Sequence, residues 1–371
     1  MSERRLTTHL AKPAAAGIAI VVLLLVPLYF DASWTIIGVF SMGAAIAAIG
    51  LTILSGSAGQ LSLAHAAFMA VGAYAYAFFA GVRGDEHYAG LGLPPLAAAV
   101  LAVVVAGIAG LAFSPVAARL RGFYLGVSTI GLVFIAQWVM KDAARLTGGV
   151  NGRSVEPLTV GGFELSGSNP THQLTVLGVP FGGTERLWYV SLLLLLAAIV
   201  AAARILHARP GRALKLVRDN ESAAAAMGIS VQRAKATAFI LSSAFAGVGG
   251  VLFALASNFI GSGNFDLLVS MSYLAMVVIG GLGSVGGAVA GAVFVMALPL
   301  LLNKFSDSIP FLAAPGSNGY TAGVVAQIVY GVVVVAVIIG RPEGVASFFR
   351  TSRRAPAAGR LPTPSPARQT L

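Results

Sequence analysis

Few residues in this chain have types and spacing suited to chemistry, and their placement excludes more than it offers. The 371 residues include five histidines, thirteen acids and no cysteine. No His-Glu-x-x-His pair occurs, so a common zinc-hydrolase signature is missing. Without thiols there are no disulfides and no cysteine metal sites. A phosphate-binding P-loop needs a Gly-Lys pair. None of Lys12, Lys141, Lys215, Lys235 and Lys304 follows a glycine. The chain is therefore expected to hold no cofactor or metal and to do no catalysis; any ATP that drives it sits on another subunit. His65 is the one ionisable residue well inside an apolar stretch, and Asp266 sits at the end of another. Ion-coupled carriers usually place acids or bases at membrane depth, so a proton- or sodium-coupled carrier is disfavoured.

Charge is concentrated in one interval, Arg209 to Ser230, "RPGRALKLVRDNESAAAAMGIS". Arg209, Arg212, Lys215 and Arg218 recur at steps of three, with Leu214, Leu216 and Val217 among them, which predicts a short amphipathic helix. A second helix is expected to follow. Asp219 or Asn220 can cap its start. Glu221 in the first turn suits the helix dipole, Ala223 to Ala226 are strong helix formers, and Gly228 is a natural stop. A basic loop beside lipid headgroups needs no such order, whereas a small, smooth alanine face lets another protein approach closely. The chemistry predicted here is docking.

The elements that carry this island are read from composition. The chain is 57% hydrophobic and 10% charged, against roughly 25% charged for soluble domains. Its apolar residues cluster in runs of the length a bilayer-crossing helix needs, about 20 residues. The expected fold is all-α and polytopic, with about ten transmembrane helices near 14–30, 35–54, 62–81, 93–113, 123–140, 187–206, 236–256, 268–282, 285–302 and 321–340. "GGLGSVGG" separates the eighth from the ninth, and parity supports a break at 280–287. With both ends inside, Arg4, Arg5, Lys12, Arg119, Arg121, the cluster from Arg204 to Lys235 and the arginines from Arg341 onward are cytoplasmic. Only Arg83, Lys141, Arg145, Arg153, Arg186 and Lys304 lie outside. That is the positive-inside distribution, and it accounts for the net charge of +11 without a nucleic-acid partner. The expected organisation is a cytoplasmic N-terminus (1–13), a membrane domain (14–340) with a long external loop (141–186) and a long cytoplasmic loop (207–235), and a cytoplasmic, disordered Pro-, Ala- and Ser-rich tail (341–371).

"GRALKLVRDNESAAAAMGISVQRAKATAFILSSAFAGVGGVLFA" resembles the EAA loop and following helix of ABC-importer permeases, above all the branched-chain amino acid family and its second, M-type permease. "LSGSAGQLSLAHAAFMAVGAYAYA", "RLRGFYLGVSTIGLVFIAQWV", "LTGGVNG" and "SMSYLAMVVIGGLGSVGGAVAGA" resemble further motifs of that family, in order, over about residues 35–340. The resemblance implies a pore-forming subunit of the bacterial inner membrane, in an importer of branched-chain or other hydrophobic amino acids. It implies a homologous second permease, two ATPase subunits that bind the ATP, and an extracytoplasmic solute-binding protein. A urea or short-amide permease is the alternative within the same machinery. A channel or secondary carrier would have no use for a docking helix. The residues singled out are Arg212, Glu221, Ala223, Ala224 and Gly228 for ATPase coupling. Gly59, Gln60, His65, Gly280, Gly281, Gly283 and Ser284 are singled out for the pathway or a helix break, and Arg145, Asn151 and Arg153 for contact with the binding protein.

Overall fold

Inside a bilayer a backbone group left without a partner costs several kcal/mol, so apolar runs satisfy their own hydrogen bonds as helices. The computed structural model describes residues 17–84, 88–167, 174–176, 179–305 and 321–340; the expected N-terminal segment and tail lie outside these residues. The long helices are α1 (Gly17–Tyr29), α2 (Ala32–Leu51), α3 (His65–Ala80), α4 (Pro95–Arg119), α5 (Phe123–Asp142), α7 (Gly183–His207), α10 (Val231–Ser257), α11 (Leu267–Gly280), α12 (Val285–Lys304) and α13 (Ala322–Gly340). Short helices are α6 (Ala144–Thr147), α8 (Arg209–Asp219) and α9 (Glu221–Ala226). A π-helical segment, Thr52–Ser57, prolongs α2. Each expected span falls on one of the long helices. By length and composition seven of them can cross a membrane, and α1, α3 and the Gly323–Val337 part of α13 are shorter apolar helices.

The expected fourth span stopped at residue 113, two residues before Pro115, yet α4 continues to Arg119. A helical proline leaves the carbonyl four residues back without its donor. The Ser114 hydroxyl donates to that carbonyl, Leu111 O, at 2.7 Å. Pro299 inside α12 is accommodated the same way, since the Tyr330 hydroxyl of α13 donates to Val295 O.

The core is built around α2 and α10. α10 packs on α2, α3 and α4, and α2 packs also on α7 and α12. Small residues set the closeness of these crossings, as is usual between membrane helices. A Cβ placed on Gly72 of α3 would sit 2.5 Å from the Gly247 carbonyl of α10. The outer helices α4, α5, α7 and α12 bury only about a third of their apolar windows or less, and they expose Val104, Phe134, Trp138, Leu193 and Val293.

The connecting segments gather into two groups. One contains 52–60, the α4–α5 turn, the α7–α10 connection and the α11–α12 turn, joined by contacts described below. The other contains the α3–α4, α5–α7 and α10–α11 connections. There, β1 (Arg153–Ser154) pairs antiparallel with β6 (Phe259–Ile260), and Gln137 donates to Ser262 O and Phe265 O. The long α5–α7 connection also forms two hairpins, β2 (Thr159–Val160) with β3 (Phe163–Glu164) and β4 (Leu174–Val176) with β5 (Val179–Phe181). Arg186, at the start of α7, holds this loop by donating to Glu164 O and Phe181 O.

Candidate functional site: a helical hairpin against two interrupted helices

The charged island folds as two helices. α8 buries Gly211, Leu214 and Val217 and turns Arg209, Arg212 and Lys215 outward, with Leu216 on the exposed side. Arg212 is exposed, and its Nη1 donates to His207 O at 3.0 Å, which closes the α7–α8 joint. Of the two possible caps, Asn220 takes the role. Its Oδ1 accepts from Ala223 N at 2.9 Å, while Asp219 pairs with Arg218. α9 ends in paired reverse bonds, Ile229 N to Ala224 O and Gly228 N to Ala225 O. That pattern places the next residue in the left-handed region, and Gly228 has φ 81°.

One face of α9 is attached to the rest of the chain. Ala224 is buried. The Glu221 carboxylate is shared, with Oε2 2.8 Å from Arg121 Nη2 and Oε1 2.8 Å from Lys235 Nζ. Lys235 lies in the first turns of α10 and is only 4% exposed. A charge so buried needs such a partner. Glu221 therefore faces the helix bundle, and the outward face of α9 is Ser222, Ala223, Ala225, Ala226 and Met227, the last 61% exposed.

Two helix interruptions lie directly beneath. α11 stops at Gly280, and Gly281 and Gly283 have φ of 102° and 84°. Ser284 then caps α12, its Oγ accepting from Gly287 N at 3.1 Å. The π-helical segment that ends α2 meets this turn backbone to backbone. A Cβ on Gly56 would lie 2.3 Å from Gly283 N. Arg218 joins the hairpin to the same place, with Nη1 donating to Gly56 O at 2.9 Å and its stem lying over Gly59.

A polar cavity of about 290 Å³ opens at this junction, walled by Gly59, Gln60, Arg121, Arg218, Asn220 and Lys235 among others. Gln60 is 4% exposed, and neither its Oε1 nor its Nε2 has a partner in the structure. Buried polar atoms are normally satisfied by protein or ordered water, so the Gln60 amide marks a place for water or a polar solute.

Other sequence-selected residues separate from this junction. His65 is 1% exposed, with Nε2 2.8 Å from Ala47 O and its ring 5.2 Å from that of Tyr273. It ties α3 to α2 and α11. In the opposite group of connections Arg153 is also buried, which corrects its assignment as a surface contact. Its guanidinium donates to Ala77 O, Ala89 O and Leu146 O and lies over the Tyr88 ring. Arg145 and Asn151 are exposed. Sequence reasoning missed Arg121, Arg218 and Lys235 as site residues. The only signal available for Arg218 was its place in the island, and Arg121 and Lys235 stand among other bases of the same loops.

Among the described residues there is no cluster of three or more His, Cys, Asp or Glu able to hold a metal ion. The arrangement is a multi-pass helical membrane protein with a capped, outward-facing helix braced on broken helices. The sequence profile described as branched-chain amino acid transport system / permease component matches residues 34–339, and the chain belongs to that family. It is 34% identical over 274 residues to the high-affinity branched-chain amino acid transport system permease protein LivM of Salmonella typhimurium, covering 71% of this chain and 62% of that protein. It is 33% identical over 275 residues to LivM of Escherichia coli, with the same coverage. It is 25% identical over 280 residues to LivH of Salmonella typhimurium, covering 72% of this chain and 85% of that relative. The alignment thus spans under two thirds of the LivM proteins. No solved structure matches the chain.

Proposed function

We propose that this chain is the M-type permease subunit of an ATP-driven importer in the bacterial inner membrane, carrying branched-chain or other hydrophobic amino acids. Both termini lie in the cytoplasm, on the side that holds most lysines and arginines. A homologous permease completes the pore, two ATPase subunits bind the ATP, and an extracytoplasmic binding protein delivers the substrate. α8 and α9 form the coupling element. The observation that carries the reading is the two-sided character of α9. Its inner side is anchored by Ala224 and by Glu221 on Arg121 and Lys235, and its outer side is a smooth alanine and methionine surface on offer to a partner.

Closure of the ATPase pair on ATP displaces this element, and the pore switches between inward- and outward-facing states. Coupling requires that the contacts differ in free energy between the two states. The exposed Arg145 and Asn151 and the hairpins of the α5–α7 connection are the surface for the binding protein. The test is uptake of labelled leucine into proteoliposomes holding the two permeases and the ATPases, with binding protein added. Uptake that needs both ATP and binding protein supports the proposal. Uptake by this chain without ATP would make it a channel or secondary carrier.

A further inference from the structure

Besides its apolar packing and the bond from Arg212 to His207 O, the coupling hairpin is fastened to the rest of the chain by two charged side chains of different character. The first is Glu221, whose carboxylate bridges Arg121 in the α4–α5 turn and Lys235 on α10, a largely enclosed helix. The second is Arg218. Its Nε and Nη2 both lie 2.9 Å from Asp219 Oδ1, which holds the guanidinium in one orientation. Nη1 is left to reach across to the Gly56 carbonyl at 2.9 Å, a partner 162 residues away. The Arg218 stem fits only because position 59 lacks a side chain, since a Cβ there would be 2.6 Å from Cγ. Gly56 in turn has backbone contact with Gly283, in the turn between α11 and α12.

The two attachments therefore lead to different places. One leads to a regular, buried helix, and the other to the two segments where regular helix is interrupted. π-Helical segments and left-handed glycine turns are where a helical bundle changes shape at least cost, and such segments recur at functional sites. A push on α9 that pivots about Glu221 is delivered through Arg218 to Gly56 and Gly283.

We infer that Arg218 is the positioning residue that transmits movement of the α8–α9 hairpin to the paired interruptions at 52–60 and 281–284. The inference rests on the reading of α8–α9 as the ATPase-coupling element. A lysine at 218 could keep the charge and one donor but not the fork that grips Asp219 and Gly56 O together. Gly56 and Gly59 are required by closeness to the Gly283 backbone and to the Arg218 stem, and Gly283 by its positive φ.

The test uses the assembled complex of both permeases, two ATPases and binding protein in lipid nanodiscs. Because the chain has no cysteine, a Leu282→Cys thiol is a unique reporter in the α11–α12 turn, where Leu282 is 55% exposed. Its rate of maleimide labelling is measured with and without ATP, beside substrate imported per ATP hydrolysed. Arg218→Gln is expected to retain its ATPase subunits and basal hydrolysis. The effect of ATP on labelling should vanish, and import per ATP should fall about tenfold, the factor that one lost charge-assisted hydrogen bond supplies. Arg218→Lys should recover part of both. The inference is overturned if Arg218→Gln keeps ATP-dependent labelling and normal import per ATP. It is equally overturned if Arg218→Gln sheds its ATPases, which would make Arg218 a docking residue. Failure of the unsubstituted chain to assemble with ATPases would instead remove the importer reading beneath it.

Discussion

Replacing Glu221 by glutamine removes the carboxylate that Arg121 and Lys235 share and leaves the volume almost unchanged. The two halves of that bridge are unequal. Arg121 is largely exposed, so its half resembles a surface ion pair worth at most about 1 kcal/mol. Lys235 is buried, and stripping the partner from a buried charge costs roughly 3–5 kcal/mol in a closed site. Glu221 is 24% exposed, so water re-enters and reduces that penalty to about 2 kcal/mol. Glu221→Gln should therefore make α9 open about 30-fold more often. Amide hydrogen exchange at Ala223, Gly228 and Ile229, which are hydrogen-bonded in the closed hairpin, reads that opening directly. The double variant Glu221→Gln, Lys235→Met removes both charges and should close most of the gap, since an apolar replacement of a buried pair is often nearly neutral. Unchanged exchange in Glu221→Gln, or a double variant that opens further than the single one, would refute the reasoning.

Other substitutions test the remaining geometry. Gly228→Val should destabilise the end of α9 by about 1–2 kcal/mol because of its positive φ, and Gly228→Asn by less, as seen in exchange at Ile229. Gly56→Ala should lower the thermal midpoint in detergent, since a Cβ there meets the Gly283 backbone and overpacking costs roughly 1–3 kcal/mol. Gly286→Ala, which has open space around it, should leave the midpoint unchanged. Arg153→Ala strands three carbonyls and should cost about 3 kcal/mol, measured as loss of protease resistance in the α5–α7 connection. Arg145→Ala should leave that resistance intact and instead weaken binding-protein-stimulated ATP hydrolysis by the complex.

What the sequence made legible follows from local rules. Apolar runs announced the long helices, and the α11–α12 break was visible in its glycines. The two helices of the island were readable because caps, alanines and a terminal glycine act within a few residues of one another. What stayed hidden depends on distant partners. Nothing in "KLVRDNES" indicates that Arg218 reaches a carbonyl of Gly56, because a backbone acceptor leaves no mark on residue type. Glu221 suited a helix N-terminus equally well facing in or out, and only the position of Lys235 on α10 turns it inward. Arg153 in a polar loop reads as exposed until the carbonyls of Ala77, Ala89 and Leu146 converge on it. The extension of α4 past Pro115 was equally hidden, because the Ser114 hydroxyl that rescues the ladder is a rotamer choice that sequence does not display.

The central claim is that the outer face of α9 docks on an ATPase subunit, and a thiol placed there tests it most directly. In the otherwise cysteine-free chain, Met227→Cys should crosslink to the ATPase with a short bifunctional maleimide. The yield should change when ATP is bound, while Val150→Cys, exposed in the opposite group of connections, should give no such product. An assembled complex in which Met227→Cys fails to crosslink, or does so no more than Val150→Cys, would contradict the account.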